Sequence, residues 1–328
     1  MKKSIKSLLC LMTIVMMLLS VSAFADEYPS KNLTILVNGS AGGAVDSNVR
    51  LLQPYLEKVM GVNVIVECVP GSGGWIAWNQ MMNAAPDGYT IAMGNAHTIF
   101  TYFDPATQNS KNLDDFNFLC NLVRDPGVIG VRPDDPLFEN VNNLADFVEF
   151  AKNYNDVLLM GVGSANGDDH MLALKLCKEA GLDNVIILPA AGGTSELKTT
   201  FYGGHCDLYV GNVGDAYQNY LDGEIKLLCV ASEERSEFVP DVPTTKELGF
   251  SFTQCADRNF VAQPALDETI KEKLVNYLHE ALSNPEYIQK MKNTGNEVYY
   301  MDSETLNASM RDAEQGIIQI LDLMGWAK

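Results

Sequence analysis

Three glycine-rich turns hold the residues whose types and spacing best suit chemistry. The first is Asn38-Gly39-Ser40-Ala41-Gly42-Gly43-Ala44-Val45-Asp46. The second is Val69-Pro70-Gly71-Ser72-Gly73-Gly74, and the third is Gly161-Val162-Gly163-Ser164-Ala165-Asn166-Gly167-Asp168-Asp169-His170. Glycines leave backbone N–H groups uncovered, and the helical patterns after the first and third turns bring the positive end of a peptide dipole to the same place. The chemistry this offers is anion binding. Turns of this kind lining one cleft would hold a small carboxylate.

Other chemistries fail on spacing. Gly161 and Gly163 would need a glycine at 166 to complete a dinucleotide fingerprint, and that residue is Asn166. No phosphate loop ends in Gly-Lys-Ser/Thr. Ser40, Ser72 and Ser164 follow Asn38, Pro70 and Val162 at two residues' distance, so no Gly-x-Ser-x-Gly elbow exists. His97, His170, His205 and His279 lack metal-ligand spacing, and there is no Cys-x-x-Cys pair. The expectation is a non-enzyme with no cofactor and no metal.

The elements that must position these turns are legible from periodicity. Leu33–Val37 is an apolar run before the first turn, and Val49, Leu52, Leu56 and Val59 recur after it at helical spacing. An apolar run over 62–66 precedes the second turn. Further strand-like runs lie at 89–93, 128–131, 157–160, 185–188, 207–210 and 225–230. Helical patterns alternate with them at 144–151, 170–180, 196–202 and 270–282. Such alternation indicates an α/β chain with largely parallel sheets. A final helical pattern from Glu304 to Leu323 follows Asp302-Ser303 and reads as packing only.

Lys2, Lys3 and Lys6, an apolar core from Leu8 to about Val21, and Ala23-Phe24-Ala25 have the three parts of a cleaved export signal. The chain is therefore expected in the periplasm, with residues 1–25 removed. The formal charge of the whole chain is −19; those 25 residues hold three lysines and no acid, so the remainder carries −22. A surface of that sign repels nucleic acid. It does not bar an anionic ligand, because surface charge is screened within about 8–10 Å. Six cysteines remain, at 68, 120, 177, 206, 229 and 255, and they read as free, mostly buried thiols.

The ordered set of motifs resembles a known family. Tyr28-Pro29, Ala41-Gly42-Gly43 with Asp46, Val69 to Gly74, Ala85-Pro86-Asp87-Gly88-Tyr89-Thr90, Asp168-Asp169-His170, Gly203-Gly204 before Cys206-Asp207, and Pro240-Asp241-Val242-Pro243-Thr244 occur in sequence. Together they resemble the substrate-binding proteins of tripartite tricarboxylate transporters, the TctC or Bug family. The resemblance implies a two-lobe periplasmic binding protein of Venus-flytrap type, each lobe a mixed sheet flanked by helices. Lobe 1 is expected over 26–125 and 233–328, and lobe 2 over 126–232. It further implies a monomer that captures a small di- or tricarboxylate or related acid and passes it to a two-subunit membrane permease.

The ligand set expected on this basis is Ser40, Ala41, Gly42, Gly43, Asp46, Gly73, Trp75, Ser164, Asn166, Gly167, Asp168, His170, Gly193, Thr194, Asn212 and Arg258. Ala41, Gly42 and Gly43 are backbone donors, Asp46 fixes their loop, and Trp75 covers the ligand. Arg258 would clamp a second carboxylate, with an ion pair as its alternative. Asp168 and Asp169 either cap their helix or receive an ammonium group. Two departures from the family pattern stand out. Asn166-Gly167 replaces a Gly-Ser before the acidic pair, and Pro189 to Thr194 lacks the aromatic and lysine common there, which weakens the case for a polyanion. Two further classes stay open: a sensor subunit docking on a receptor kinase, and an exported hydrolase or isomerase with His97 or His170 as base.

Overall fold

The computed structural model describes residues 28–107, 110–318, 321–322 and 324–326, so the expected leader at 1–25 lies outside the described residues. Strand β1 (Leu33–Val37) runs through the first glycine turn into helix α1 (Ala44–Met60), and β2 (Val64–Cys68) through the second into α2 (Trp75–Met82). Then come β3 (Thr90–Asn95), the short α3 (Ala96–Ile99) and the 15-residue β4 (Asn117–Val131). The middle of the chain repeats the strand–helix pattern: α4 (Leu144–Asn153), β5 (Leu158–Val162), α5 (Asp168–Ala180), β6 (Val185–Pro189), α6 (Thr194–Tyr202), β7 (Leu208–Asn212), α7 (Val213–Leu221) and β8 (Lys226–Val230). Strand β9 (Cys255–Ala262), α8 (Glu268–Leu282), α9 (Pro285–Lys292), β10 (Glu297–Met301) and α10 (Ser303–Ile318) complete it.

The strands follow the order β2-β1-β3-β9-β4-β7-β5-β6, with β8 and β10 also paired to β4. Strand β1 is parallel to β2 and β3, and β5 is parallel to β6 and β7; β9 is antiparallel to both β3 and β4. The long β4 joins two halves. Its first part pairs with β9, from Asn117 opposite Ala262 to Pro126 opposite Cys255, and its last five residues pair with β7. Each half has a core on both faces of its sheet. In the first, Val49, Leu52 and Leu56 of α1 pack with Leu274 and Leu278 of α8 on one face, and Trp78, Phe100 and Leu306 lie on the other. In the second, Phe147, Leu172 and Leu176 cover one face, and Leu197, Phe201 and Val213 the other. Strands covered on both faces are apolar throughout rather than alternating, which is why β1 and β7 read as continuous hydrophobic runs. The fold is α/β, with two lobes.

The return crossing comes later than the sequence suggests. Val239, Val242 and Phe252 are buried in the cores of the second half, and Thr244 bridges to Val230. The segment from 233, expected in lobe 1, therefore packs with lobe 2 as far as Gln254. Where the chain crosses between the halves three segments run side by side: Gly127 N–H donates to Gln254 O (2.9 Å), Gln254 N–H to Ala231 O (2.8 Å), and Ala231 N–H to Gly127 O (2.7 Å). Cys68, Cys120, Cys177, Cys206, Cys229 and Cys255 are free thiols. No helix among the described residues is long and apolar enough to cross a membrane.

Candidate functional site

The turns after β1, β2, β5, β6 and β7 all open on one cleft of about 630 Å³ between the halves. The carboxyl ends of parallel strands are where α/β folds bind ligands. Here the cause is local: each turn passes from an outgoing strand to a helix start, leaving amides without intrahelical acceptors.

The first wall comes from residues 38–40, 43–45 and 70–74 and from Asn95. Asp46, 2% exposed, folds back on its own loop: Gly42 N–H donates to Oδ2 (2.8 Å), Cys68 Sγ–H to Oδ1 (3.2 Å), and Arg50 pairs with it at 2.8 Å. Burial works to raise its pKa, but the hydrogen bonds from Arg50, Gly42 and Cys68 prevail and hold the carboxyl below its ordinary value. The expected role of Asp46 as the loop's fastener matches these contacts. The expected donors change. Gly42 N–H is taken by Asp46 and Gly43 N–H by Ser40 O (3.1 Å), while Ala41 and Gly42 lie outside the cleft lining. The amides left for a ligand belong to Ala44 and Val45, the first turn of α1, and both residues line the cleft.

Ser40, Gly43 and Gly73 line this wall. Trp75 does not. Its indole N–H donates to Thr101 Oγ1 (2.7 Å), and its ring packs edge-on against Trp78 and tilted against Phe116, so it belongs to the core. At Gly74, with φ +99°, any β-carbon would lie 2.8 Å from the Trp78 ring and 2.9 Å from Asn38 Nδ2. The turn is therefore closed around that core indole, and only glycine fits.

The second wall comes from the turns at 163–165 and 189–195 and from the region of Gly211, Asn212 and Asp215. Ser164, Asp168, Gly193, Thr194 and Asn212 all line it. Asp169, also in the lining, is occupied by its own loop, accepting from Gly163 N–H and from His170 N–H (2.9 Å). Burial, then the neighbouring Asp168 charge, pushes its carboxyl up to about 8. Asn166, Gly167 and His170 stand outside the lining. The Asn166 N–H donates to His170 Nδ1 (2.9 Å), and Asn166 Nδ2 reaches Asp104 of the other half (3.3 Å). These residues shape the turn and tie it across the halves rather than facing a ligand, and burial lowers the pKa of His170.

Arg258 of β9 forms the floor and is 3% exposed. Its NH1 donates to Asn48 Oδ1 and Asn296 Oδ1 (both 3.1 Å), and its NH2 pairs with Asp125 Oδ2 at 3.2 Å. The expected bidentate clamp is thus replaced by a buried ion pair. Its partner is Asp125 of β4, whereas Asp257 pairs with Arg124 at 2.8 Å. Burial raises Asp125 to about 7, with the Arg258 charge opposing. Asp215, on the first turn of α7, is also raised by burial, against Arg258 and Lys198. Among the described residues no His, Cys, Asp and Glu group is arranged to hold a metal.

Residues 49–325 match the family model described as tripartite tricarboxylate transporter family receptor. The chain belongs to this family. The receptor is 29% identical over 309 residues to the UPF0065 protein in gbd 5'region of Cupriavidus necator, covering 93% of this chain and 91% of that one. It superposes on the periplasmic binding protein BugD with a TM-score of 0.80 and 25% identity, over 92% of this chain and 100% of the other. A structure of MatC from Rhodopseudomonas palustris with bound malate superposes with a TM-score of 0.79 and 23% identity, over 90% and 100%.

Sequence reasoning missed two residues of the receptor's cleft. Asn95 ends β3 and carries no motif. Asp215 follows Asn212 by three residues, and an acid in a first helical turn reads as an ordinary dipole partner.

Proposed function

We propose that the receptor captures a small organic acid between its lobes outside the cytoplasm and hands it to the two-subunit permease of a tripartite tricarboxylate-type transporter, without catalysing a reaction. We take the lobes as residues up to 125 with 255 onward, and 126–254. The observation that carries this reading is the placement of the starts of α1 and α6 in one cleft, each preceded by a glycine turn. Amides of a first helical turn hold a carboxylate without any cation, and the net charge of the chain then matters little at contact range. Malate bound to MatC, a protein of the same fold, supports a carboxylate as the ligand class. Closure of the lobes would exclude water and strengthen these charge–dipole contacts. The receptor is expected to act as a monomer with no cofactor.

The test is a thermal melt of refolded, ligand-stripped protein against mono-, di- and tricarboxylates and amino acids. A true ligand at about 100 times its Kd adds roughly 2.7 kcal/mol, a shift of several degrees for a chain of this size. No shift with any acid would contradict the reading.

A further inference from the structure

Outside the cleft lining, one chain of polar side chains joins the two halves. Lys175 of α5 belongs to the second half and His97 of α3 to the first, and Gln254 stands between them where the chain crosses back. Lys175 Nζ donates to Thr253 O (3.0 Å) and to Gln254 Oε1 (2.7 Å). Gln254 Nε2 lies 2.8 Å from His97 Nε2. The Gln254 backbone is pinned through its N–H to Ala231 O and through its O to Gly127 N–H, so only the side-chain amide can turn. A cavity of about 180 Å³ borders all three side chains.

The donors fix where the protons sit. An ammonium only donates, so the Gln254 atom facing Lys175 is the carbonyl oxygen and the atom facing His97 is the amide nitrogen. That nitrogen only donates as well. His97 Nε2 must therefore accept, and the neutral ring carries its hydrogen on Nδ1, which is buried without a partner. A second proton would point Nε2–H at the Gln254 amino group, donor against donor. Turning the amide over would set that amino group against the Lys175 ammonium instead. One amide between two cations satisfies one of them. The charged and titratable groups facing the ring are Asp168 and Lys175 of α5 and Asp257 and Cys255 of β9; α10 brings uncharged Ser309, Met310 and Ala313 to the cavity. Asp257 pairs with Arg124 (2.8 Å) and Asp168 accepts from Asn212 (2.9 Å), so both acids are engaged elsewhere. Burial lowers the His97 pKa and Lys175 adds to that push, with Asp168 and Asp257 opposing.

Both ends of this relay are tied to the cleft. His97 follows Asn95, a lining residue whose Oδ1 accepts from the His97 N–H (3.3 Å), and Lys175 lies about two turns along the helix that opens with the lining residues Asp168 and Asp169. The same helix is seated on the first half at two further points. Met171 is buried in the cluster that holds Ala96 and Phe100, and Asn166, just before the helix, reaches Asp104 (3.3 Å). We propose that the Lys175–Gln254–His97 relay is a proton-sensitive clasp between the halves: neutral His97 keeps it shut, and protonation of His97 parts α3 from α5 and loosens the cleft. The receptor then holds its ligand more tightly near neutral pH than in mild acid. That consequence rests on the carboxylate reading above, whereas the clasp itself does not.

The experiment combines two measurements on the unliganded receptor. Nitrogen-15 NMR of the histidine rings should show the His97 hydrogen on Nδ1 at about pH 7.5 and a titration midpoint below the ordinary value of about 6.5. Gln254→Glu offers acceptors to Lys175 and to a protonated His97 together, so the proton affinity of His97 should rise about tenfold or more in that variant. Small-angle scattering should give a larger radius of gyration at about pH 5.5 than at about pH 7.5. The expansion should vanish in His97→Gln, whose amide accepts from Gln254 without titrating, and in Gln254→Glu. A hydrogen on Nε2, a midpoint at or above about 6.5, or an unchanged midpoint in Gln254→Glu would overturn the relay. Equal expansion in all three proteins, or none in the unmodified one, would overturn the clasp. For an acid that binds, affinity should fall about fivefold more between these pH values in the unmodified receptor than in His97→Gln, and an equal fall would likewise overturn the clasp. Binding by no acid would contradict the carboxylate reading and leave both ligand-free measurements decisive for the clasp.

Discussion

The two walls of the cleft use opposite means. The first wall turns its one buried acid, Asp46, back into its own loop and presents backbone: the glycine turns and the opening amides of α1. The second presents carboxylates, of which Asp169 is spent on its loop and Asp168 and Asp215 are not. An acid at a glycine turn is therefore ambiguous by type and position. What separates a fastener from a contact group is whether N–H groups of its own loop use up its oxygens. Arg258, between the walls, is on the fastener side: its ion pair with Asp125 holds β9 to β4 at the point where the chain crosses between halves.

The comparison can be broken most severely at that floor. Arg258→Ala should destabilise the protein by about 3–5 kcal/mol in urea denaturation, because Asp125 is left in the interior without its partner, forced to stay charged or take up a proton, and Asn48 and Asn296 lose their donor. Adding Asp125→Asn should restore a large part. A loss below about 1 kcal/mol would show that the pair does not hold the strands. Next in size is the fastener of the first wall. Asp46→Ala frees Gly42 N–H and the Cys68 thiol; with Arg50 half exposed, the expected cost is about 1–2 kcal/mol. Carboxylate affinity should fall about tenfold as the loop loosens, measured by calorimetry. An affinity left intact would mean that the loop needs no fastener.

Proton linkage sharpens the contrast. Asp125 and Asp169 titrate at about 7 and about 8, against a carboxylate's ordinary value of 3.8. Between these limits the folded protein holds protons that the unfolded chain has released, so stability falls as pH rises. Lowering pH from about 8.5 to about 6.5 should therefore raise the melting temperature. Asp125 is faced by Arg258 of β9, Asp215 of α7 and Asp168 of α5, and Asp169 by Asp168 and Asp215, so the two titrate within one network. Below about 6.5 the gain should stop, since buried His97 and His170 have lowered pKa values and take up protons on unfolding. A melting temperature that rises steadily from pH 6.5 to 8.5 would contradict the burial of both acids. The smallest effect is expected at Trp75. Trp75→Phe loses the bond to Thr101 at a cost of about 1 kcal/mol and leaves ligand affinity unchanged.

Much of this architecture is written in hydrophobic period. Leu33–Val37 and the run at 185–188 lie in strands, as does all of the run at 225–230 but its first residue, and Leu274 and Leu278 mark the buried stripe of α8. The strands at the crossing are hidden for a physical reason. β4 and β9 carry Asn121, Arg124, Asp125, Asp257, Arg258 and Asn259, polar residues that interrupt the apolar runs by which a strand is read. Their partners lie far along the chain: Asn121 Nδ2 donates to Tyr299 O (2.9 Å), and Arg124 lies over the Tyr299 ring. The site divides in the same way. Asp46, whose role the family resemblance implies, bonds mainly within its own turn to Gly42 and Arg50, whereas Trp75 and Arg258 take their partners from tertiary packing. The late crossing at Gln254 escaped notice because the segment 233–254 contains no regular strand or helix among the described elements.

The most direct test of the central claim is calorimetric titration of the acid that shifts the melt, comparing the unmodified protein with Ala44→Asp. Position 44 opens α1 and lines the cleft, so an aspartate there complements the helix dipole and spares the fold while placing a negative charge where the carboxylate should sit. The account predicts an unliganded melt unchanged or slightly raised and an affinity lowered by about a hundredfold, roughly 2.7 kcal/mol. Unchanged affinity in Ala44→Asp would place the carboxylate elsewhere and contradict the account.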